Sequence, residues 1–266
     1  MNCEKIKTAL ITGATSEIAL HVGERLANFN TKLILTAKDQ SQLYEIAQIL
    51  RKKTEVITHL GDLKEPKTCQ ELTALMNEQD IDLLINNAGI GLYGPALMHS
   101  TKEQLSILDI NARATLELTL SAARFMKNKQ KKGVILNISS AASFFSYPTF
   151  CVYSASKAFV TNFSLGFDKE MAPFGIRILT ACPGQIETAF RLKAAKNYPQ
   201  HPTKQALSPS KASKLILKQI QKEKRLYIFD WRYRFALFLS RWLIPDIIIE
   251  KILKKSICDR YPDKKY

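Results

Sequence analysis

The chain is short of the residue patterns from which small sites are most often built. Its five cysteines (Cys3, Cys69, Cys151, Cys182 and Cys258) are odd in number, far apart and without a Cys-x-x-Cys pair. That excludes a disulfide framework and a cysteine-based zinc site. The histidines His21, His59, His99 and His201 lack metal-ligand spacing, and no metal is assigned. No apolar run ending in a small-residue cleavage site opens the chain, so a cytoplasmic location is expected. No uncharged stretch approaches the roughly 18 residues needed to span a bilayer. Acidic residues are scarce too: 39 Lys plus Arg face 24 Asp plus Glu, a net charge of +15. From Lys211 to Tyr266 the count is 15 against 6, so the surplus gathers at the C-terminal end. No helix-turn-helix, zinc-finger or aromatic RNA-binding signature goes with it. Nucleic acid is therefore set aside, and an anionic membrane surface is the partner the charge fits.

What is present is a regular alternation. The 266 residues are 46% hydrophobic, enough for a full core. Strand-length apolar runs (7–12, 32–36, 55–60, 81–86, 133–139 and 176–181) alternate with helix-length periodic segments (16–29, 40–53, 65–77, 101–127 and 152–172). That order predicts right-handed crossovers and an α/β fold: a Rossmann-like, doubly wound parallel sheet in a single domain over 1–230. Ligands of such sheets lie beyond the carboxyl ends of the strands, so the loops after each strand matter most.

Glycine is sparse where it would be most telling. The turn Thr12-Gly13-Ala14-Thr15-Ser16-Glu17-Ile18-Ala19 holds one glycine, yet it opens a helix whose N–H groups and dipole can hold a phosphate. After the second strand, Ala37-Lys38 puts a cation where a ribose 2′-phosphate would be met, which points to NADP(H). Asp62-Leu63 follows the third strand and Asn86-Asn87-Ala88-Gly89 the fourth. Further on, Tyr153 and Lys157 stand four apart, on one face of a helix, where a phenol and an ammonium can form an acid–base pair. The nearby cation is expected to lower the tyrosine pKa.

In this order the motifs from 7 to about 190 resemble the short-chain dehydrogenase/reductase family. The family's Thr-Gly-x-x-x-Gly-x-Gly loop maps onto Thr12 to Ala19, its Asn-Asn-Ala-Gly onto Asn86 to Gly89, and its Tyr-x-x-x-Lys onto Tyr153 and Lys157. Pro183-Gly184-Gln185-Ile186-Glu187-Thr188 matches its Pro-Gly-x-Ile-x-Thr loop. The resemblance implies catalytic Asn111, Ser140, Tyr153 and Lys157, with Ser140 chosen because it precedes Tyr153 by 13 residues. It implies cofactor contacts at Gly13, Thr15, Ser16, Glu17, Ile18, Lys38, Asp62, Leu63, Asn87, Ala88, Gly89, Pro183, Gly184, Ile186 and Thr188, besides Tyr153 and Lys157. NADP(H) is preferred, with NAD(H) as the alternative. Glu17 and Ala19 depart from the family by replacing its second and third loop glycines. Glu17 puts a carboxylate near the expected pyrophosphate, free to serve the helix dipole, face solvent or bond a neighbouring loop.

The implied reaction is hydride transfer to a carbonyl, with Tyr153 as general acid and Ser140 bonding the same oxygen. Lys157 would bind the nicotinamide ribose, and Asn111 would hold a relay water. The candidate pocket residues Leu92, Tyr93, Phe144, Phe145, Tyr147, Phe150 and Phe190 favour a hydrophobic or lipid-like substrate. An alcohol dehydrogenase running in reverse, a keto-reductase step of an epimerisation and an idle membrane-surface scaffold are the alternatives. A homo-oligomer is expected from the family. Beyond 230, Trp231, Phe235, Phe238, Leu239 and Trp242 share a helical face, and a basic segment, 246–255, follows Pro245. This 231–266 extension reads as an amphipathic helix that lies on a membrane, covers the cleft or meets a second subunit.

Overall fold

The computed structural model describes residues 3–196 and 206–242. Seven parallel strands, β1 (Thr8–Thr12), β2 (Lys32–Ala37), β3 (Val56–Leu60), β4 (Leu83–Asn86), β5 (Gly133–Ile138), β6 (Ile176–Cys182) and β7 (Leu226–Ile228), lie in the order β3-β2-β1-β4-β5-β6-β7. β1, β4 and β5 are buried along their whole length, as strands covered on both faces must be. Because side chains alternate across a strand, the sheet feeds two cores. Ile11, Leu33, Leu35, Ile85 and Leu136 pack with α1 (Glu17–Ala27), α2 (Gln40–Arg51) and α8 (Pro209–Gln221). Leu10, Ile34, Leu84, Ile135 and Ile178 pack with α3 (Pro66–Glu78) and α5 (Thr115–Asn128).

The predicted alternation of strands and helices is found, with two differences that bear on the site. The expected helix over 101–127 is α4 (Thr101–Leu108) and α5, joined by a π-helical segment, Asp109–Ala114, that carries Asn111. Among the described residues, the region between β6 and β7 holds two helices, α7 (Ala189–Ala195) and α8. Ser208 caps α8 by accepting from Lys211 N, and Pro209 opens it. Arg25 of α1 donates to Ser213 Oγ at 2.8 Å, tying α8 to the same sheet face.

The order reverses at β1, which pairs with β2 on one side and β4 on the other. The crevice at this reversal is where a doubly wound sheet binds its ligand. α6 (Cys151–Met171) brings Tyr153 and Lys157 to it. α9 (Trp231–Trp242) starts beside the last of the crevice loops: a methyl on Gly184 would meet Tyr233 Cε2 at 2.7 Å. Trp231 and Phe235 are exposed. The side chains of Phe238, Leu239 and Trp242 and the segment 246–255 lie outside the described residues. Among the described residues no helix is long and apolar enough to cross a membrane.

Candidate active site

Tyr153 and Lys157 face the crevice from the first turns of α6, both buried. Lys157 Nζ donates to Ile138 O at 2.8 Å and lies 5.9 Å from the centre of the tyrosine ring. Two neighbouring serines divide their work. Ser139 Oγ donates to Lys157 O at 2.9 Å and pairs with Thr161 Oγ1 at 2.7 Å, so it is spent in the core. Ser140 instead caps a short turn, accepting from Ala142 N at 3.1 Å, and its hydroxyl is close enough to the Tyr153 phenol to draw its pKa down.

Electrostatics correct one expectation. Burial pushes the Tyr153 phenol well up from its ordinary value, and the Ser140 hydroxyl offsets only part of this. Lys157 does not depress it, because desolvation dominates and the amine is turned to the Ile138 carbonyl. Burial acts on the lysine as well, lowering it to about 8.

Asn111 sits fully buried in the π segment. Its Oδ1 accepts from Ile90 N at 2.9 Å, and its Nδ2 donates to Ile90 O at 2.9 Å and Ser156 Oγ at 3.0 Å. The amide therefore clasps the loop after β4, leaving one lone pair of Oδ1 for the expected relay water. Both Asn111 Oδ1 (3.3 Å) and Lys157 Nζ (3.4 Å) crowd the place a methyl on Gly89 would take.

The phosphate loop is held by more than its own turn. Gly13 has φ +63°, and a methyl there would lie 2.7 Å from Ala88 Cα, so glycine is required on both counts. Thr12 Oγ1 accepts from the N–H groups of Asn87 (3.1 Å) and Ala88 (3.0 Å). Asn87 Nδ2 donates to Thr12 O, Gly13 O and Ser16 Oγ, each at 3.0 Å. The amide donor of Asn87, one of the expected cofactor contacts, thus braces the loop. Thr12 was missed as a brace, though its place before Gly13 was visible.

Ser16 caps α1 through Ala19 N at 3.2 Å. Helix geometry leaves other first-turn N–H groups for a ligand, beside the half-buried Thr15, Glu17 and Ile18. Glu17 itself turns to a neighbouring loop, where its Oε1 accepts from Ala189 N at 3.0 Å.

Farther out, Lys38 is exposed after β2, while Asp39 is occupied in capping α2 through Gln42 N at 3.0 Å. Asp62 accepts from Lys64 N at 3.0 Å and pairs with Lys64 Nζ at 3.3 Å; Leu63 is buried. Arg113, not foreseen, steadies this loop by donating to Leu63 O and Lys64 O, each at 2.8 Å. On the opposite wall, Pro183 O accepts from Ala141 N at 2.8 Å, Ile186 bridges to Leu207, and Thr188 leads into α7. A helix N-terminus, the close backbone approaches at Gly13 and Gly89 and the amine beside Gly89 together fit a dinucleotide laid across the strand ends.

Three of the seven candidate pocket residues meet at the tyrosine. Phe150 stacks on Tyr153 at 4.1 Å and 18°, Tyr93 lies 4.3 Å from Phe150, and Phe190 of α7 lies 5.7 Å from Tyr153. Phe145 and Tyr147 form a separate edge-to-face pair at 6.2 Å. Leu92 lines a small cavity with Phe150, and Phe144 ends the turn that Ser140 caps.

This arrangement is matched among known proteins. The family model described as short chain dehydrogenase covers residues 7–199. A diacetyl reductase, (S)-acetoin forming, of Staphylococcus epidermidis is 32% identical over 186 residues, 68% of this chain and 72% of its own. A short-chain dehydrogenase from Sphingobium yanoikuyae, solved in complex with NADPH, superposes with TM-score 0.80 at 25% identity, covering 89% of this chain and 94% of that one. The bulky-bulky ketone specific alcohol dehydrogenase from Comamonas testosteroni gives 0.76 at 26% identity over 91% and 93%. With the family matched through the phosphate loop, the tyrosine helix and the loop after β6, the chain is an oxidoreductase of the short-chain dehydrogenase/reductase family, using a nicotinamide cofactor.

Proposed function

We propose that the protein is an NADPH-dependent reductase of a hydrophobic carbonyl compound. The observation that carries this is the state of Tyr153. Burial keeps the phenol protonated at neutral pH, next to the Ser140 hydroxyl, so the resting site holds a proton donor for a carbonyl oxygen. The bound cofactor would supply the hydride. Ser140 hydrogen-bonds the oxygen on which charge develops. Lys157, close to titration at about 8, returns a proton to the tyrosine after turnover, with Asn111 Oδ1 next to it over Gly89. Phe150, Tyr93 and Phe190 present an apolar wall to the substrate, in keeping with the bulky ketones of the Comamonas testosteroni relative's description. The preference for NADPH rests on Lys38, exposed after β2 while the neighbouring Asp39 is committed to its helix cap.

Two surfaces support the partners. Phe159, Phe163 and Phe167 stack along α6 at 5.9 and 5.4 Å, with Phe159 exposed; this face suits a second copy of the chain. Exposed Trp231 and Phe235 beside exposed Arg234 suit an anionic membrane surface. Tyr153→Phe tests the reaction. Turnover of an aromatic ketone with NADPH falls about a thousand-fold, while the NADPH Kd stays within two-fold. A variant of wild-type rate would refute the assignment of the tyrosine.

A further inference from the structure

Glu17 departs most from the family's glycine-rich loop, and it makes a contact that spans 172 positions of the chain. It stands at the N-terminus of α1, and its carboxylate accepts from Ala189 N at the N-terminus of α7. Thr188, the residue placed to cap α7, makes no side-chain cap bond, so Glu17 supplies the cap from across the crevice. One carboxylate thus sits at the N-terminus of α1, favourable to negative charge, while holding the first N–H of α7. What it holds in place matters to the reaction. Phe190, the next residue, lies against Tyr153, Ala194 O accepts from Tyr93 N at 2.9 Å, and Lys196 pairs with Glu103 beyond it. α7 is therefore fastened at both ends over the tyrosine.

A dinucleotide seated on α1 brings its diphosphate to the same first turn, and a carboxylate and a diphosphate repel there. We propose that Glu17 is an internal substitute for the cofactor's phosphate: a latch that keeps α7 and Phe190 on Tyr153 until the dinucleotide displaces the carboxylate from Ala189. The latch rests on the cofactor-dependent reading above and adds an order to it. Dinucleotide binding precedes the release of α7, and with it the Phe190 ring, from Tyr153.

Hydrogen–deuterium exchange over Ala189–Ala195 and direct titration with NADPH and NADH test this on wild type, Glu17→Ala and Glu17→Gln. In cofactor-free Glu17→Ala, exchange should quicken about ten-fold, the weight of one charge-assisted hydrogen bond. Its dinucleotide Kd should fall by a similar factor. At saturating dinucleotide the exchange of variant and wild type should converge, which a merely structural cap would not produce. Glu17→Gln, which still accepts the N–H but has no charge, should fall between; it carries the test should Glu17→Ala not fold. Unchanged exchange, a difference that persists at saturation, or weaker binding in the variants would overturn the latch. Equal, tight binding by all three proteins would overturn the latch alone, whereas no binding of either dinucleotide by any of them would overturn the cofactor reading and the latch with it.

Discussion

Lys157→Met should make the cofactor-free protein more stable at neutral pH while destroying its activity. The lysine is buried, and its only hydrogen bond among the described residues goes to Ile138 O at 2.8 Å. Holding an ammonium whose pKa has fallen from 10.5 to about 8 costs the folded state about 3 kcal/mol at pH 7. Methionine has similar length and no charge to desolvate, but it leaves the Ile138 carbonyl without its donor, a loss of about 1 kcal/mol. The net expectation is a gain of about 2 kcal/mol, read as a higher urea midpoint at unchanged slope.

The pH dependence gives this its edge. Below about pH 8 the lysine is charged in both states, and the full cost applies. Between about 8 and 10.5 the folded chain gives up the proton while the unfolded chain keeps it. The unfolded state then binds more protons, so wild-type stability rises with pH. Near pH 9.5 the cost has dropped to about 1 kcal/mol, close to the lost hydrogen bond, so the difference from the variant should almost vanish. Tyr153 works in the opposite sense: its folded value lies above the ordinary 10.0, so its contribution is present below that pH and lost above it. Measurements should therefore stop near pH 9.5. A variant less stable than wild type at pH 7, or a gap that does not change with pH, would refute the buried-charge account.

Gly13→Ala should destabilise the protein by at least about 2 kcal/mol, from the positive φ and the 2.7 Å approach to Ala88; urea denaturation checks it, and an unchanged midpoint would contradict the geometry. Lys38→Asp should weaken NADPH binding at least about ten-fold and leave NADH binding intact or improved, by titration, since a carboxylate would face the 2′-phosphate. Trp231→Ala with Phe235→Ala should lower sedimentation with anionic vesicles by about ten-fold or more, two exposed apolar side chains having been withdrawn from the interface; wild type that stays in the supernatant would remove the membrane as a partner.

What was legible in the sequence is what local pattern controls. Strands buried on both faces must be runs of apolar residues, so Thr8–Thr12 and Gly133–Ile138 stood out, and their order dictated the crevice. α8 was legible and passed over: Ser208-Pro209 is a start signal, and Ala212, Ile216, Leu217 and Ile220 fall on one face, but the lysines between them drew the reading toward charge. The π segment at Asp109–Ala114 had no such signal. One widened turn does not alter apolar spacing enough to be seen, and the clasp of Asn111 on Ile90 that accompanies it is a tertiary contact.

The two properties that decide the chemistry are of the same non-local kind. Spacing reported that Tyr153 and Lys157 share a helix face, from which a depressed phenol pKa follows only if the ammonium's attraction outweighs the cost of desolvating the phenolate. Burial beneath Phe150 and Phe190 reverses the sign, because desolvation penalises the phenolate more than an amine 5.9 Å away, itself lowered to about 8, can favour it. Phe190 in turn is placed by α7, whose first N–H is held by a carboxylate 172 positions earlier. A tyrosine buried in this way carries its proton at neutral pH but gives it up less readily than a solvated phenol, so its proton leaves only for an acceptor that is itself strongly basic.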